Sequence, residues 1–245
     1  MLIKRVIARL DIKAPNLVKG IQLEGLRVMG DPAVFAKRYY DQGVDEILYQ
    51  DVVASLYGRN GLVELVRRTS ENIFVPLCVG GGIRSVDDIH HMLMAGADKV
   101  SINTEATKRP ILLSEGAKRF GSQAIVCAIE YIDGKAMTDN GREATGLDAY
   151  DWARKAVDYG AGELLLTSIA RDGGRKGYDC DFIDKVAVAV GVPVIAHGGC
   201  WTAEHIRNAA SAGADGMAVA SALHYGHLTV ADLKKGLHED ALRTA

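Results

Sequence analysis

Two carboxylates in this sequence are placed for acid and base chemistry. The run Arg5-Val6-Ile7-Ala8-Arg9-Leu10-Asp11 has the β-branched character of a strand. Residues two apart on a strand share a face, so Arg5, Ile7, Arg9 and Asp11 form one stripe, with Asp11 at its C-terminal end. A second run places Val126, Ala128 and Glu130 in the same relation. A carboxylate at each of two opposed strand ends suits general acid and general base work on a substrate lying between them. The alternative is two surface carboxylates that cap loops. Asp51 ends another strand-like run and is a candidate for positioning substrate rather than transferring protons.

Glycine clusters follow several of the same runs: Gly80-Gly81-Gly82, Asp172-Gly173-Gly174 and Gly198-Gly199. Glycine permits positive φ and lets backbone N–H groups close around an anion. Two further runs end in Asn103-Thr104 and Ala220-Ser221. Together these predict two phosphate sites, one built from Gly82, Asn103 and Thr104, the other from Gly173, Gly199, Ala220 and Ser221, with Asp172 beside the second. Read only as local structure, they are tight turns. His197 ends its strand and faces the same region. A molecule with a phosphate at each end fits two such sites.

At the opposite ends of the runs, Arg5, Glu46, Lys99 and Glu163 supply two cations and two anions. Charges inside a protein persist when paired, so these four are expected to form a self-satisfying ring, which could also serve as a gate. The remaining histidines, including His90, His91 and His205, fall in helical patterns, and no His/Glu spacing resembles a metal site. Ser55, Ser168 and Ser221 have no His/Asp constellation around them. Cys78, Cys127, Cys180 and Cys200 form no C-x-x-C pair, and the first two read as buried small hydrophobes.

The elements that must position these groups alternate along the chain. Strand-like runs span 5–10, 46–50, 75–79, 99–102, 124–129, 163–167, 194–196 and 216–219. Amphipathic stretches span 32–42, 62–70, 86–95, 110–120, 149–159, 181–190, 203–212 and 230–237. Strict alternation implies right-handed βαβ units and a parallel sheet. Eight units in 245 residues fit a single (β/α)8 TIM barrel of the α/β class, with its site at the C-terminal strand ends. An open doubly wound sheet would carry a Gly-rich first turn, and Asp11-Ile12-Lys13 is not one. Glu46 and Glu163, Gly82 and Gly199, and Gly96 and Gly213 are each separated by 117 residues. This repeat predicts one domain, 1–245, made of two homologous half-barrels of about 1–120 and 121–245. The stretch 131–146 carries turn signals and is expected to be a hairpin or a lid.

Composition narrows the class. Lys plus Arg is 29 against 31 Asp plus Glu, and 48% of residues are apolar. Disorder is excluded, and a basic nucleic-acid surface is not indicated. The longest apolar stretch, 186–196, is broken by Gly191 and Pro193, short of the ~18–20 residues of a membrane span. Met1-Leu2-Ile3-Lys4-Arg5 leads into a strand without a signal-peptide pattern, so a cytoplasmic setting is expected.

The motifs together resemble a known family. They include Lys4-Arg5, Leu10-Asp11, Val18-Lys19-Gly20, Gly30-Asp31-Pro32 and Val79-Gly80-Gly81-Gly82-Ile83. Gly96-Ala97-Asp98-Lys99-Val100-Ser101-Ile102-Asn103, Gly121-Ser122-Gln123-Ala124, Leu166-Thr167-Ser168-Ile169, Arg171-Asp172-Gly173 and Gly177-Tyr178-Asp179 extend them. Over nearly its whole length the chain is similar to the histidine-biosynthesis barrels, specifically the cyclase subunits of imidazole glycerol phosphate synthase. The resemblance implies a carbon–nitrogen lyase without a cofactor or metal. It implies a glutaminase partner, docked on the barrel floor in a region that includes Asp98, which sends ammonia past Arg5, Glu46, Lys99 and Glu163. At the mouth the ammonia meets phosphoribulosyl formimino-aminoimidazole carboxamide ribonucleotide. The products are imidazole glycerol phosphate and aminoimidazole carboxamide ribonucleotide. The family's catalytic aspartates fall on Asp11 and position 130, and its mobile-loop lysine falls on Lys19.

Four positions depart from the family pattern. Position 130 is Glu rather than Asp, and Arg9 stands where a small residue is usual. Ala170 replaces an acid, and His197 replaces a serine. Arg9, on the Asp11 face, is expected to narrow the interior and to favour the ionised forms of both carboxylates, or to bind an anionic substrate group. Three readings therefore stand: the family's own cyclase, a glutaminase-coupled paralogue amidating another substrate such as an acetamido sugar for surface polysaccharide, and a non-enzymatic subunit. Intact phosphate loops argue against the third.

Overall fold

The computed structural model describes residues 4–54 and 62–238. Ser55 and the opening Met1-Leu2-Ile3 lie outside the described residues. Along the chain the strands are β1 (Arg5–Lys13), β2 (Asn16–Ile21), β3 (Glu24–Gly30), β4 (Glu46–Asp51), β5 (Leu77–Gly80) and β6 (Lys99–Ile102). They continue as β7 (Ile125–Ile132), β8 (Lys135–Thr138), β9 (Glu143–Asp148), β10 (Glu163–Ser168), β11 (Val194–His197) and β12 (Gly216–Val219). The helices are α1 (Pro32–Asp41), α2 (Val63–Ser70), α3 (Val86–Met94), α4 (Thr104–Lys108) and α5 (Ile111–Phe120). After them come α6 (Ala149–Asp158), α7 (Cys180–Ala189), α8 (Ala203–Ser211), α9 (Ser221–His224) and α10 (Val230–His238).

Eight strands pair in parallel around a closed ring, β1-β4-β5-β6-β7-β10-β11-β12 and back to β1. This is the expected (β/α)8 barrel. Each predicted strand falls on a barrel strand. The third begins at Leu77 rather than residue 75, because the preceding Pro76 has no N–H to give the ladder and only accepts from Ile47 N.

Two antiparallel hairpins decorate the ring. The pair β8–β9 extends β7 and resolves the 131–146 stretch as a hairpin. The pair β2–β3 extends β1 in the same way, without a strand pattern in the sequence to announce it. Every residue of β3 is exposed or half-buried, so it lacks the alternation that marks a strand with one buried face.

Side-chain alternation divides the core in two. Val6, Ala8, Leu10 and Ile12 of β1 point outward under the helices, within the large cluster that also holds Val66, Ile89 and Ile206. Ile7, Leu48, Cys78, Val126, Ala128, Leu165, Ile195 and Ala218 fill the barrel axis. This apolar plug separates a charged floor from a polar mouth.

The 117-residue repeat has a mechanical basis. Asp98 takes the N–H of Leu77 on its carboxylate at 2.8 Å, and Asp215 takes that of Val194 at 3.1 Å. Each Gly-Ala-Asp turn thus pins the start of the preceding strand. Ser85 caps α3 and Thr202 caps α8 at matching positions. In the first half Asp88 receives the N–H of Arg84, and in the second His205 receives that of Trp201.

Candidate active site

The C-terminal strand ends converge on a polar mouth built around Arg9. Its guanidinium is fully buried on the inner face of β1. Nε donates to Asp11 Oδ1 at 2.9 Å, and Nη1 donates to Thr167 Oγ1 and to His197 Nδ1, each at 3.0 Å. Arg9 can only donate, so His197 Nδ1 accepts and its proton sits on Nε2, which faces Asp172 Oδ1 at 3.8 Å. Burial and then Arg9 push the His197 pKa well down, so the ring is neutral. The backbone carbonyl of Arg9 accepts from His224 Nε2 at 3.0 Å, and His224 Nδ1 meets Tyr39 Oη at 2.7 Å.

Lys19, at the position of the family's mobile-loop lysine, lies on β2 and is buried, with Nζ 3.0 Å from Asp172 Oδ2 and 3.5 Å from Asp11 Oδ2. Asp172 also accepts from the backbone N–H of Leu23, tying the first hairpin to the loop after β10. Asp11 therefore sits between two cations. Burial works against its charge, but Arg9 and Lys19 hold its carboxyl well below the usual carboxylate range.

Glu130 behaves differently, which corrects the expectation that Arg9 ionises both carboxylates. Burial outweighs the attraction of Arg9, and the Asp11 charge adds to it, so the Glu130 pKa is pushed up to about 7. Its Oε2 has no hydrogen bond. One carboxylate of the mouth is a fixed anion, and the other is poised near neutrality.

Two pockets flank this centre. One is lined by Gly82, Asn103 and Thr104 together with Asp51 and Glu130. The other is lined by Asp172, Gly173, His197, Gly199, Ala220 and Ser221, with Arg175 at its edge. The structure thus brings together the residues expected in each phosphate site. Their backbones repeat: Asn103 adopts φ −115°, ψ −81°, and Ala220 adopts φ −122°, ψ −81°. The glycines are required at matched points. A Cβ on Gly81 (φ +102°) would lie 2.5 Å from the Asp51 carbonyl oxygen, and one on Gly198 (φ +107°) 2.6 Å from that of Ser168. The second hairpin braces the first pocket, since Asn103 Nδ2 donates to Met137 O and Asp139 N donates to Thr104 Oγ1.

On the floor, Arg5 pairs with Glu46 and Glu163, and Lys99 Nζ lies 3.0 Å from Glu46 and 2.8 Å from Glu163. The predicted ring is formed. Burial opposes the charge on both cations, yet the two carboxylates leave the Arg5 and Lys99 pKa values raised. Asp98 is exposed on this side. No group of residues able to hold a metal occurs among the described residues, and no described helix is long and apolar enough to cross a membrane.

Sequence reading missed Ser101, Thr167 and His224. Ser101 follows Lys99, and Thr167 follows Glu163 and Leu165, at the two-residue spacing that carries the inner face. That spacing could have found both. His224 had no comparable signal, because it lies on the four-residue α9 and reaches Arg9 only through the barrel closure.

Comparison with known proteins places these features in context. The histidine biosynthesis protein family matches residues 5–229. An imidazole glycerol phosphate synthase subunit HisF from Legionella pneumophila is 58% identical over 80% of this chain and 94% of its own length. The subunit of the same name from Myxococcus xanthus is 50% identical over 99% of this chain and 98% of its own length. That from Alkaliphilus metalliredigens is 44% identical over 98% and 97%.

Proposed function

Because the chain belongs to the histidine biosynthesis protein family, among its imidazole glycerol phosphate synthase HisF subunits, we propose that it performs the cyclase reaction of that synthase. Ammonia and phosphoribulosyl formimino-aminoimidazole carboxamide ribonucleotide give imidazole glycerol phosphate, aminoimidazole carboxamide ribonucleotide and water. The observation that carries this reading is that Glu130 lines one of two matched pockets while Asp11 is joined through Lys19 to Asp172 of the other.

The charges divide the labour. Asp11, flanked by Arg9 and Lys19, stays ionised and stabilises positive charge on the attacking nitrogen. Glu130, poised near neutrality, is the group that gives and takes a proton, since a catalytic pKa near the working pH is the efficient one. Gly82, Asn103 and Thr104 hold one substrate phosphate, and Gly173, Gly199, Ala220 and Ser221 hold the other. Asp51 and His197 orient the substrate between them. Lys19 and Asp172 fasten the first hairpin beside it.

The relatives are named as subunits, which supports a partner for this chain. We assign that partner as a glutaminase that docks on the floor around Asp98 and delivers ammonia past Arg5, Glu46, Lys99 and Glu163. The single domain reads as two fused half-barrels, about 1–120 and 121–245, supported by the matched Asp98 and Asp215 contacts. A cytoplasmic location suits a biosynthetic subunit with four free cysteines.

Arg9 is the observation that favours a second reading, in which ammonia goes to a different anionic acceptor. Purified chain, 15N-ammonium and the formimino substrate decide between them. Imidazole glycerol phosphate carrying one 15N is expected, and unlabelled or absent product contradicts the cyclase reading.

A further inference from the structure

Three buried side-chain atoms at the mouth lack a hydrogen bond: Arg9 Nη2, Ser101 Oγ and Glu130 Oε2. Buried polar groups are almost always paired, so each such atom calls for an explanation. Arg9 is the most demanding of the three, because it is a cation with no surface exposure to relieve it. Its other donors are fixed by Asp11, Thr167 and His197, and its backbone is fixed by His224. The guanidinium is thus rigid, with one N–H end left over. Its charge acts on Glu130, yet no ion pair joins them. Arg9 Nη2 and Glu130 Oε2 are thus both desolvated and unpaired, and Glu130 lines the first pocket.

We propose that Arg9 is a catalytic residue whose free Nη2–H receives the carbonyl oxygen of the substrate's ketose segment, with Glu130 on the other side of that oxygen. The proposal rests on the cyclase reading above and deepens it. The ammonia lone pair forms the new C–N bond as the C=O π pair moves onto oxygen. Arg9 holds the developing oxyanion and keeps all its own protons. The Glu130 carboxyl gives that oxygen a proton, then removes one from the added nitrogen and is regenerated. The resulting carbinolamine loses water to the imine that precedes ring closure. A donor held rigid before reaction acts without reorganisation, which makes such oxyanion contacts effective in a desolvated site. Thr167 and His197 act through Arg9 and are positioning residues.

The test compares wild type, Arg9→Ala and Arg9→Lys with ammonium and the formimino substrate, measuring kcat and KM separately. Loss of one oxyanion donor costs ~10²–10³ in kcat, so Arg9→Ala is expected to fall by that factor with KM little changed. Added guanidinium chloride is expected to restore part of the rate, and Arg9→Lys to lie between. Wild-type turnover with an unchanged kcat in Arg9→Ala overturns the assignment and leaves the cyclase reading standing. A loss that guanidinium does not rescue, equal in Arg9→Lys and accompanied by a lower Tm, reduces Arg9 to a structural residue and also overturns it. No wild-type turnover removes the cyclase reading and the Arg9 role with it. If Arg9→Ala does not fold, Arg9→Gln is read by the same criteria.

Discussion

Arg9 and Asp11, two residues apart on one face of β1, are joined by an Nε–H···Oδ1 hydrogen bond of 2.9 Å with neither side chain reaching solvent. That contact sets the charge pattern of the mouth. It fixes Asp11 as an anion, takes up one edge of the guanidinium, and leaves Glu130 as the titrating group.

Replacing Asp11 by Asn is expected to remove the anion opposite the reacting nitrogen and to leave Arg9 and Lys19 undercompensated. Turnover with ammonium should fall by ~10²–10³, the loss typical of one preorganised electrostatic group. Breaking a buried pair by removing one partner costs about 3–5 kcal/mol, so urea denaturation should show a clear loss of stability. A variant as stable as wild type would contradict the buried pairing.

Glu130 links pH to both rate and stability. Its folded pKa of about 7 lies above the ordinary 4.5. Its contribution to stability is therefore fully present below about 4.5 and is lost as pH rises through about 7. Glu130→Gln removes that loss, so the Tm of Glu130→Gln minus that of wild type should grow between pH 5 and pH 8. In wild type, kcat should decline as pH rises above about 7, where the acid form disappears. A Tm difference independent of pH would place the Glu130 pKa elsewhere.

As the proposed ammonia gate, the floor ring should distinguish two sources of ammonia. Lys99→Met leaves Glu46 and Glu163 sharing only Arg5. Folding stability should drop by ~3 kcal/mol. With the glutaminase partner present, glutamine-driven turnover should fall, whereas turnover with free ammonium should be largely retained. Equal loss with both sources would show that the ring acts on the mouth and not on ammonia passage.

Phosphate contacts made alike in substrate and transition state change KM rather than kcat. Thr104→Val and Ser221→Ala each remove one hydroxyl from a different pocket. Hydrogen bonds to charged groups contribute ~1.5–3 kcal/mol, so each should raise KM by about tenfold or more. A change in kcat alone would remove that hydroxyl from phosphate binding.

Much of this was legible in the sequence. The inward alternation Arg5-Ile7-Arg9-Asp11, the floor ring and the glycine loops follow from strand spacing and from a repeat whose Gly-Ala-Asp turns pin strand starts. Two features were not legible. The hairpin β2–β3 lacks a buried face of its own, and it places Lys19 on a strand through tertiary contact with Asp172. The different titration of Asp11 and Glu130 depends on which carboxylate reaches Arg9, and a difference of one methylene in side-chain length does not announce that in sequence.

The central claim is that Asp11 and Glu130 drive ammonia-dependent cyclisation between two phosphate pockets. Its most direct test is the steady-state loss of formimino-substrate absorbance with ammonium salt and purified chain, for wild type and Asp11→Asn. The account predicts turnover by wild type, with one aminoimidazole carboxamide ribonucleotide formed per substrate consumed, and near-complete loss in Asp11→Asn. No wild-type turnover, or equal turnover in the two proteins, would contradict it.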